Sequence, residues 1–93
     1  MTLPVRGSLQ TTGESFTGTA TGYLDGSGKM KLTSDRGAAC QGNFVYKTSR
    51  EGEGVLRCED GRTGPFTFAS TGKRGTGQGE LSGQKFIFTF GKQ

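Results

Sequence analysis

The 93-residue chain contains no histidine and no tryptophan. Histidine is the commonest general base and a frequent metal ligand, so its absence removes Ser-His-Asp and Cys-His catalysis. Two cysteines without histidine cannot complete the four-ligand set of a structural zinc site, which leaves a disulfide or a pair of thiols. Apolar residues make up only 29% of the chain, and no stretch approaches the length of uninterrupted apolar sequence that a membrane-spanning helix needs. The opening Met1-Thr2-Leu3-Pro4-Val5-Arg6 lacks the basic flank and apolar run of a signal peptide, so the chain reads as soluble. Helix formers are scarce, which argues against a helical bundle or coiled coil.

Glycine, by contrast, is abundant: 18 glycines and 2 prolines fill roughly a fifth of the chain, close to the level at which disorder becomes the default reading. Their positions argue otherwise. Gly or Pro punctuates nearly every ten residues, and two-residue alternation recurs between these marks. The pattern predicts strands over Thr17 to Leu24, Ser27 to Thr33, Ala38 to Tyr46, Gly52 to Glu59, Gly64 to Ala69, Thr76 to Leu81 and Gln84 to Phe90. Asp25-Gly26 and Ser82-Gly83 suit two-residue hairpins and Asp60-Gly61-Arg62 a slightly longer turn. Looser connections are expected at Ser34 to Gly37, Lys47 to Glu51 and Ser70 to Gly75.

A register follows from the cysteine hairpin. A loop centred on Ser49 sets Cys40 opposite Cys58, Gly42 opposite Leu56, Phe44 opposite Gly54 and Tyr46 opposite Gly52, all on one face. Carried through the neighbouring turns, that face yields the rows Gly28, Phe44, Gly54, Phe68, Gly77, Phe88 and Met30, Gly42, Leu56, Phe66, Gly79, Phe86, then Leu32, Cys40, Cys58, Gly64, Leu81, Gln84. Large side chains mostly face glycines. An aromatic ring over a cross-strand glycine covers bare backbone, and the missing Cβ leaves room for the ring on a tightly curved inner surface. Most of the nine aromatics, Phe16, Tyr23, Phe44, Tyr46, Phe66, Phe68, Phe86, Phe88 and Phe90, are thereby assigned to the core.

Such a core is thin for a chain of this length, and a staple is expected. A Cys40–Cys58 disulfide would supply roughly 3 kcal/mol at most in the chain-entropy picture and would require an oxidising compartment. Two buried thiols in a cytosolic protein are the alternative. The disulfide reading places the protein in the bacterial periplasm or anchored at the outer membrane, after removal of a leader not present in this chain.

Three units begin about 25 residues apart, at Gly26-Ser-Gly28-Lys-Met30, Gly52-Glu-Gly54-Val-Leu56 and Gly77-Gln-Gly79-Glu-Leu81, each leading through a turn to a Phe-bearing strand. The segment from Glu51 to Arg62 resembles the Gly-x-Gly strand, Asp-Gly turn and return strand of a MORN repeat, and Cys40-Gln-Gly42-Asn-Phe44 is similar to its Tyr-x-Gly-x-Phe part. MORN-like repeats imply scaffolding or membrane-proximal binding. Over residues 16-91 the chain also resembles small secreted or lipoprotein-type domains of proteobacteria, through Phe16-Thr-Gly-Thr-Ala-Thr-Gly22, Gly42-Asn-Phe-Val-Tyr46, Asp60-Gly-Arg-Thr-Gly-Pro-Phe-Thr-Phe68 and Arg74-Gly-Thr-Gly77. That resemblance implies an envelope location.

The outer face carries the candidate site. Lys31, Gln41 and Arg57 line up side by side, with Lys29 and Asn43 in the next row and no carboxylate among them. These five residues form a basic, amide-bearing patch suited to an anionic lipid or an acidic envelope protein; an ordinary solvated sheet face is the plainer reading. The loop Ser70 to Gly79 resembles a phosphate loop only superficially, since neither Gly-Lys-Ser/Thr nor a helix follows. Pairs such as Glu51 with Glu53 or Glu59 with Asp60 read as solvated turn acids, so a noncatalytic role without cofactor or metal is expected. Nucleic acid is disfavoured because the stacking aromatics belong to the other face. The expected architecture is an all-β, antiparallel up-and-down meander of about 7-8 strands, strongly curved or barrel-like. Residues 1-15 form an N-terminal segment that could add an edge strand at Leu3 to Leu9, and 16-93 one domain. The rival function is homo-oligomerisation through an incompletely covered aromatic face.

Overall fold

The computed structural model describes residues 1–91, so the last two residues of the expected 16-93 domain lie outside the described residues. Eight strands follow one another: β1 Thr2–Leu9, β2 Ser15–Gly22, β3 Ser27–Ser34, β4 Ala39–Tyr46, β5 Glu51–Cys58, β6 Thr63–Thr71, β7 Arg74–Leu81 and β8 Gln84–Gly91. Each pairs antiparallel with the next, and β8 returns to β1, closing an up-and-down barrel. The segment expected at an edge therefore has neighbours on both sides. Val5 and Leu9 point inward and are buried, which ties β1 to the core and leaves the barrel with no edge.

Period-2 alternation puts one face of every strand inside. The inner face of β3 carries Gly28, Met30, Leu32 and Ser34, all buried, while Lys29, Lys31 and Thr33 between them point out. The expected pairing of the cysteine hairpin is present in full, from Cys40 opposite Cys58 to Tyr46 opposite Gly52. One row, Leu9, Phe86, Gly79, Phe66, Gly54, Phe44, Gly28, Gly22, crosses all eight strands. It starts at the C-terminal end of β1 and finishes at the opposite end of β2, the strand tilt that a closed barrel requires. Rings cover glycines along it: a Cβ on Gly28 would collide with the Phe44 ring, and one on Gly54 with the Phe66 ring. Edge-to-face contacts join the rings, among them Phe16–Phe86 at 5.3 Å and Phe66–Phe88 at 5.6 Å between centroids.

Three expectations about register and turns need correction. Gly54 faces Phe66 and Gly52 faces Phe68, so β6 is shifted by two residues from the expected row. The cause is the β5–β6 turn, which closes tightly. The amide of Cys58 donates to the Arg62 carbonyl at 2.8 Å, Asp60 Oδ1 accepts from the Arg62 amide at 3.1 Å, and Gly61 takes φ 97°. A slip of two leaves every side chain on its expected face. The β6–β7 connection is a two-residue turn, Gly72-Lys73, rather than a loose loop. Gly72 at φ 67° fills the first central position, where a type II′ turn needs positive φ. Asp25-Gly26, conversely, belongs to a longer connection, since β2 ends at Gly22 and β3 starts at Ser27.

Closure also bears on the oligomer reading. Phe16, Phe66, Phe68, Phe86, Phe88 and Phe90 are all buried within one chain, so the barrel covers most of its aromatic face itself. The two tyrosines differ from the expected pattern: Tyr23 is exposed in the β2–β3 turn, and Tyr46 stands half out at the barrel rim.

Candidate functional site

Strand pairing places the five patch residues as the alternation requires. Lys31 is opposite Gln41, which is opposite Arg57; Lys29 is opposite Asn43, whose other neighbour is Val55. All five are exposed on the outer surface of β3, β4 and β5. Thr19 and Thr21 of β2 continue the two rows beyond the lysines, so the flank is neutral. Among the described residues, none of the three cations is in an ion pair. On β5, Glu53 stands in the row beyond Asn43 and Val55 and is held by Lys47 at 2.7 Å, which raises the Lys47 pKa, while Glu59 follows two residues after Arg57 beside Ala39. The patch can offer two ammonium groups, a guanidinium and two amides to one flat anionic surface.

The cysteines form a disulfide, and no cysteine is free. It bridges β4 and β5 directly beneath the patch, because Cys40 and Cys58 flank Gln41 and Arg57 on the inner side of the same strands. The hairpin that carries most of the patch is thus covalently fixed in register.

The two ends of the barrel differ. At one end, where the β1–β2, β3–β4, β5–β6 and β7–β8 turns gather, Glu14 is folded inward and only 3% exposed. The local chain dictates that pose: the Leu9 amide donates to the Glu14 carbonyl at 3.0 Å, and the Glu14 amide donates to Thr12 Oγ1 at 3.2 Å. Arg62 meets the carboxylate with both terminal nitrogens, at 2.8 and 3.0 Å, and gives its Nε to Asp60 at 2.9 Å. The guanidinium also lies 5.8 Å from the centre of the Phe16 ring. The bidentate bond to Arg62 pulls the Glu14 pKa down from 4.5 to about 2, against the opposing effect of burial and with help from the Ser34 hydroxyl and the charge of Arg36. The same carboxylate raises the Arg62 pKa. This ion pair caps the core with both partners satisfied, which makes it a structural plug. In the sequence Arg62 reads as part of a turn and Glu14 as part of the N-terminal segment 1-15.

The opposite end gathers the β2–β3, β4–β5 and β6–β7 turns around a mouth lined by Leu3, Ala20, Phe44, Tyr46, Phe68 and Phe90. Its turns are held by their own side chains. Asp25 accepts from the Ser27 hydroxyl at 2.6 Å and amide at 2.9 Å, which lowers its pKa, and Thr48 Oγ1 accepts from the Arg50 and Glu51 amides. Among the described residues no group of three or more Cys, Asp or Glu stands close enough to hold a metal ion, and no helix is long and apolar enough to cross a membrane.

No protein-family model and no curated protein sequence matches the chain. Its shape is similar to designed proteins among the solved structures. A de novo fluorescence-activating β-barrel matches with TM-score 0.72 and 16% identity over 99% of this chain and 91% of its own. A redesigned barrel, mFAP1, solved bound to DFHBI, matches with TM-score 0.78 and 15% identity over 98% and 92% respectively. Likeness at that identity establishes the fold: an eight-stranded, antiparallel, up-and-down barrel.

Proposed function

We propose that the barrel is a noncatalytic binding module of the bacterial cell envelope, periplasmic or held at the outer membrane, that rests the outer face of β3–β5 on an anionic surface. The observation that carries this reading is the array of Lys29, Lys31 and Arg57, contiguous across three strands, interleaved with Gln41 and Asn43 and free of ion pairs among the described residues. Each cation close to an anionic lipid surface contributes about 1 kcal/mol, and the attraction is screened beyond ~10 Å at 0.1 M salt. The disulfide under the patch supports an oxidising setting. The likeness of the Glu51 to Arg62 hairpin to a MORN repeat supports a membrane-proximal role, by analogy of fold.

The test replaces Lys29, Lys31 and Arg57 together by Ser and titrates the protein with phosphatidylglycerol vesicles at low salt. A loss of roughly 100-fold in affinity is expected from three contacts of about 1 kcal/mol each. Unchanged binding by the triple variant ends the proposal.

A further inference from the structure

The barrel is not filled evenly from end to end. Leu9, Phe16, Leu81 and Phe86 are essentially inaccessible at the plugged end. Toward the other end a cavity of about 60 Å³ remains, between Leu3, Ala20, Met30, Phe44, Phe68 and Phe90. It exists because β2 contributes small inner residues there: Ala20 and Gly22 stand where Phe-bearing strands place rings. The lining side chains are apolar apart from Tyr46, and the Met1 ammonium beside it is already bound to the Gly22 carbonyl at 3.0 Å. A stably held water needs two to four polar partners, and among the described residues every buried polar side-chain atom is already hydrogen-bonded. The cavity therefore suits an apolar guest.

Its size selects the guest. The volume equals about two waters' share of the liquid, well short of the roughly 150 Å³ that admits a benzene ring. A ring is excluded, whereas the last carbons of a slim unbranched chain fit. The rest of such a chain would leave through the mouth past Tyr46, Tyr23 and Leu24, large apolar side chains exposed at this end of the barrel. The turns of the same end bear Lys47, Arg50, Lys73 and Arg74 against Asp25, Glu51 and Glu53. Lys47 neutralises Glu53, and Arg50, Lys73 and Arg74 are in no ion pair among the described residues. The plugged end has the opposite balance, with Glu14, Asp35, Glu59, Asp60 and Glu80 against Arg36, Arg62 and Lys85.

We infer that the open end of the barrel is a seat for the terminal carbons of an unbranched alkyl chain with an anionic head group, the head group staying at the rim with Arg50, Lys73 and Arg74. This site is separate from the sheet face and does not depend on it. A free fatty acid or alkyl sulfate and the acyl chain of an anionic bilayer lipid share the required chemistry.

The test titrates labelled protein with hexyl, octyl and decyl sulfate below their micelle concentrations, followed by NMR. Shifts are expected at the Ala20 and Met30 methyls and at the Phe68 and Phe90 rings. Affinity is expected to rise about fourfold per added methylene while the chain still gains buried length. Octyl glucoside, with the same chain and no charge, should bind several-fold more weakly than octyl sulfate, the gap narrowing in high salt. Ala20→Leu fills the cavity and should weaken binding at least tenfold, its own spectrum reporting whether the barrel is intact. If that variant does not fold, the exposed triple change Arg50→Ser, Lys73→Ser, Arg74→Ser should weaken the sulfate and spare the glucoside. Phosphatidylglycerol vesicles identify the source: mouth shifts with vesicles assign a bilayer lipid, and mouth shifts with free sulfates alone assign a soluble amphiphile. Shifts confined to Lys29, Lys31 and Arg57, affinity indifferent to chain length, or a folded Ala20→Leu barrel that binds like the parent would overturn the inference.

Discussion

Replacing Arg62 by Met removes the charge that holds Glu14 while keeping most of the aliphatic bulk over Phe16. Glu14 is then a carboxylate 97% hidden from water with no cation to meet it. The size of the effect can be worked from its titration. The fall in pKa from 4.5 to about 2 corresponds to about 3 kcal/mol of stabilisation at neutral pH, at 1.36 kcal/mol per pKa unit. Breaking a buried pair by deleting one partner typically costs about 3–5 kcal/mol, in agreement. For a domain of this length 3 kcal/mol lowers Tm by roughly 12–24 °C. The pH dependence supplies a sharper signature. Because the folded pKa of Glu14 is depressed, its contribution in the parent is complete above about pH 4.5 and is lost as pH falls from there toward 2. In Arg62→Met the main lowering contact is gone and burial is opposed only by the Ser34 hydroxyl and the charge of Arg36, so the Glu14 pKa rises and the variant should lose much less stability than the parent on acidification from about pH 4.5 toward 2. Urea unfolding followed by far-UV circular dichroism at several pH values measures both. The double variant Glu14→Leu, Arg62→Met should be more stable than Arg62→Met alone, since it leaves no buried charge. A cost below about 1 kcal/mol for Arg62→Met, with the acid limb of the parent retained, would refute the argument.

Other substitutions probe the packing. A side chain at Gly54 would meet the Asn43 carbonyl and the Phe66 ring, with Phe44 Cβ at 2.9 Å, so Gly54→Val should cost upwards of about 3 kcal/mol and unfold at clearly lower temperature. Gly42→Ala meets nothing nearer than 3.2 Å and should shift Tm far less in the same calorimetric scan; equal effects would show that ring-over-glycine packing does not govern stability. Reduction of Cys40–Cys58, or Cys40→Ala with Cys58→Ala, should lower stability by up to about 3 kcal/mol in denaturant titrations. A barrel as stable reduced as oxidised would remove the disulfide from its list of supports.

The alternation of glycine with large residues on one face made the cysteine hairpin readable, because only one register lets Cys40, Gly42, Phe44 and Tyr46 face Cys58, Leu56, Gly54 and Gly52. The same parity placed Lys29, Lys31, Gln41, Asn43 and Arg57 outside. It could not detect the shift of β6, since a slip of two preserves every face, and the turn bonds of Asp60 and Gly61 that set it are local chemistry with several solutions. The Glu14–Arg62 pair joins residues 48 positions apart, and nothing in either neighbourhood announces the other. A signal was present nonetheless: extending the inner-face parity past the strand ends carries β2 from Phe16 to Glu14, β3 from Leu32 to Ser34 and β6 from Gly64 to Arg62. Three polar residues thus converge at one end of an otherwise apolar interior. The open end was hidden for a different reason. Alternation identifies which residues point inward and says nothing about whether they fill the space, which depends on the small side chains of Ala20 and Gly22 facing rings from distant strands.

The seam between β1 and β8 bears on how the chain folds. Seven of the eight strand pairs join neighbours along the chain through short turns, so each can form with little loss of loop entropy. The eighth brings Val5 to Phe90 and Leu9 to Phe86, and it forms only after the meander has curled far enough for its two outer strands to meet. Until then the molecule is a curved sheet with two bare edges, the form most open to pairing with another chain. Closing the seam converts that hazard into a cylinder with nothing to template. The five residue pairs along β1 and β8 therefore guard the whole barrel against edge pairing, and partial opening there is the event most able to start an aggregate.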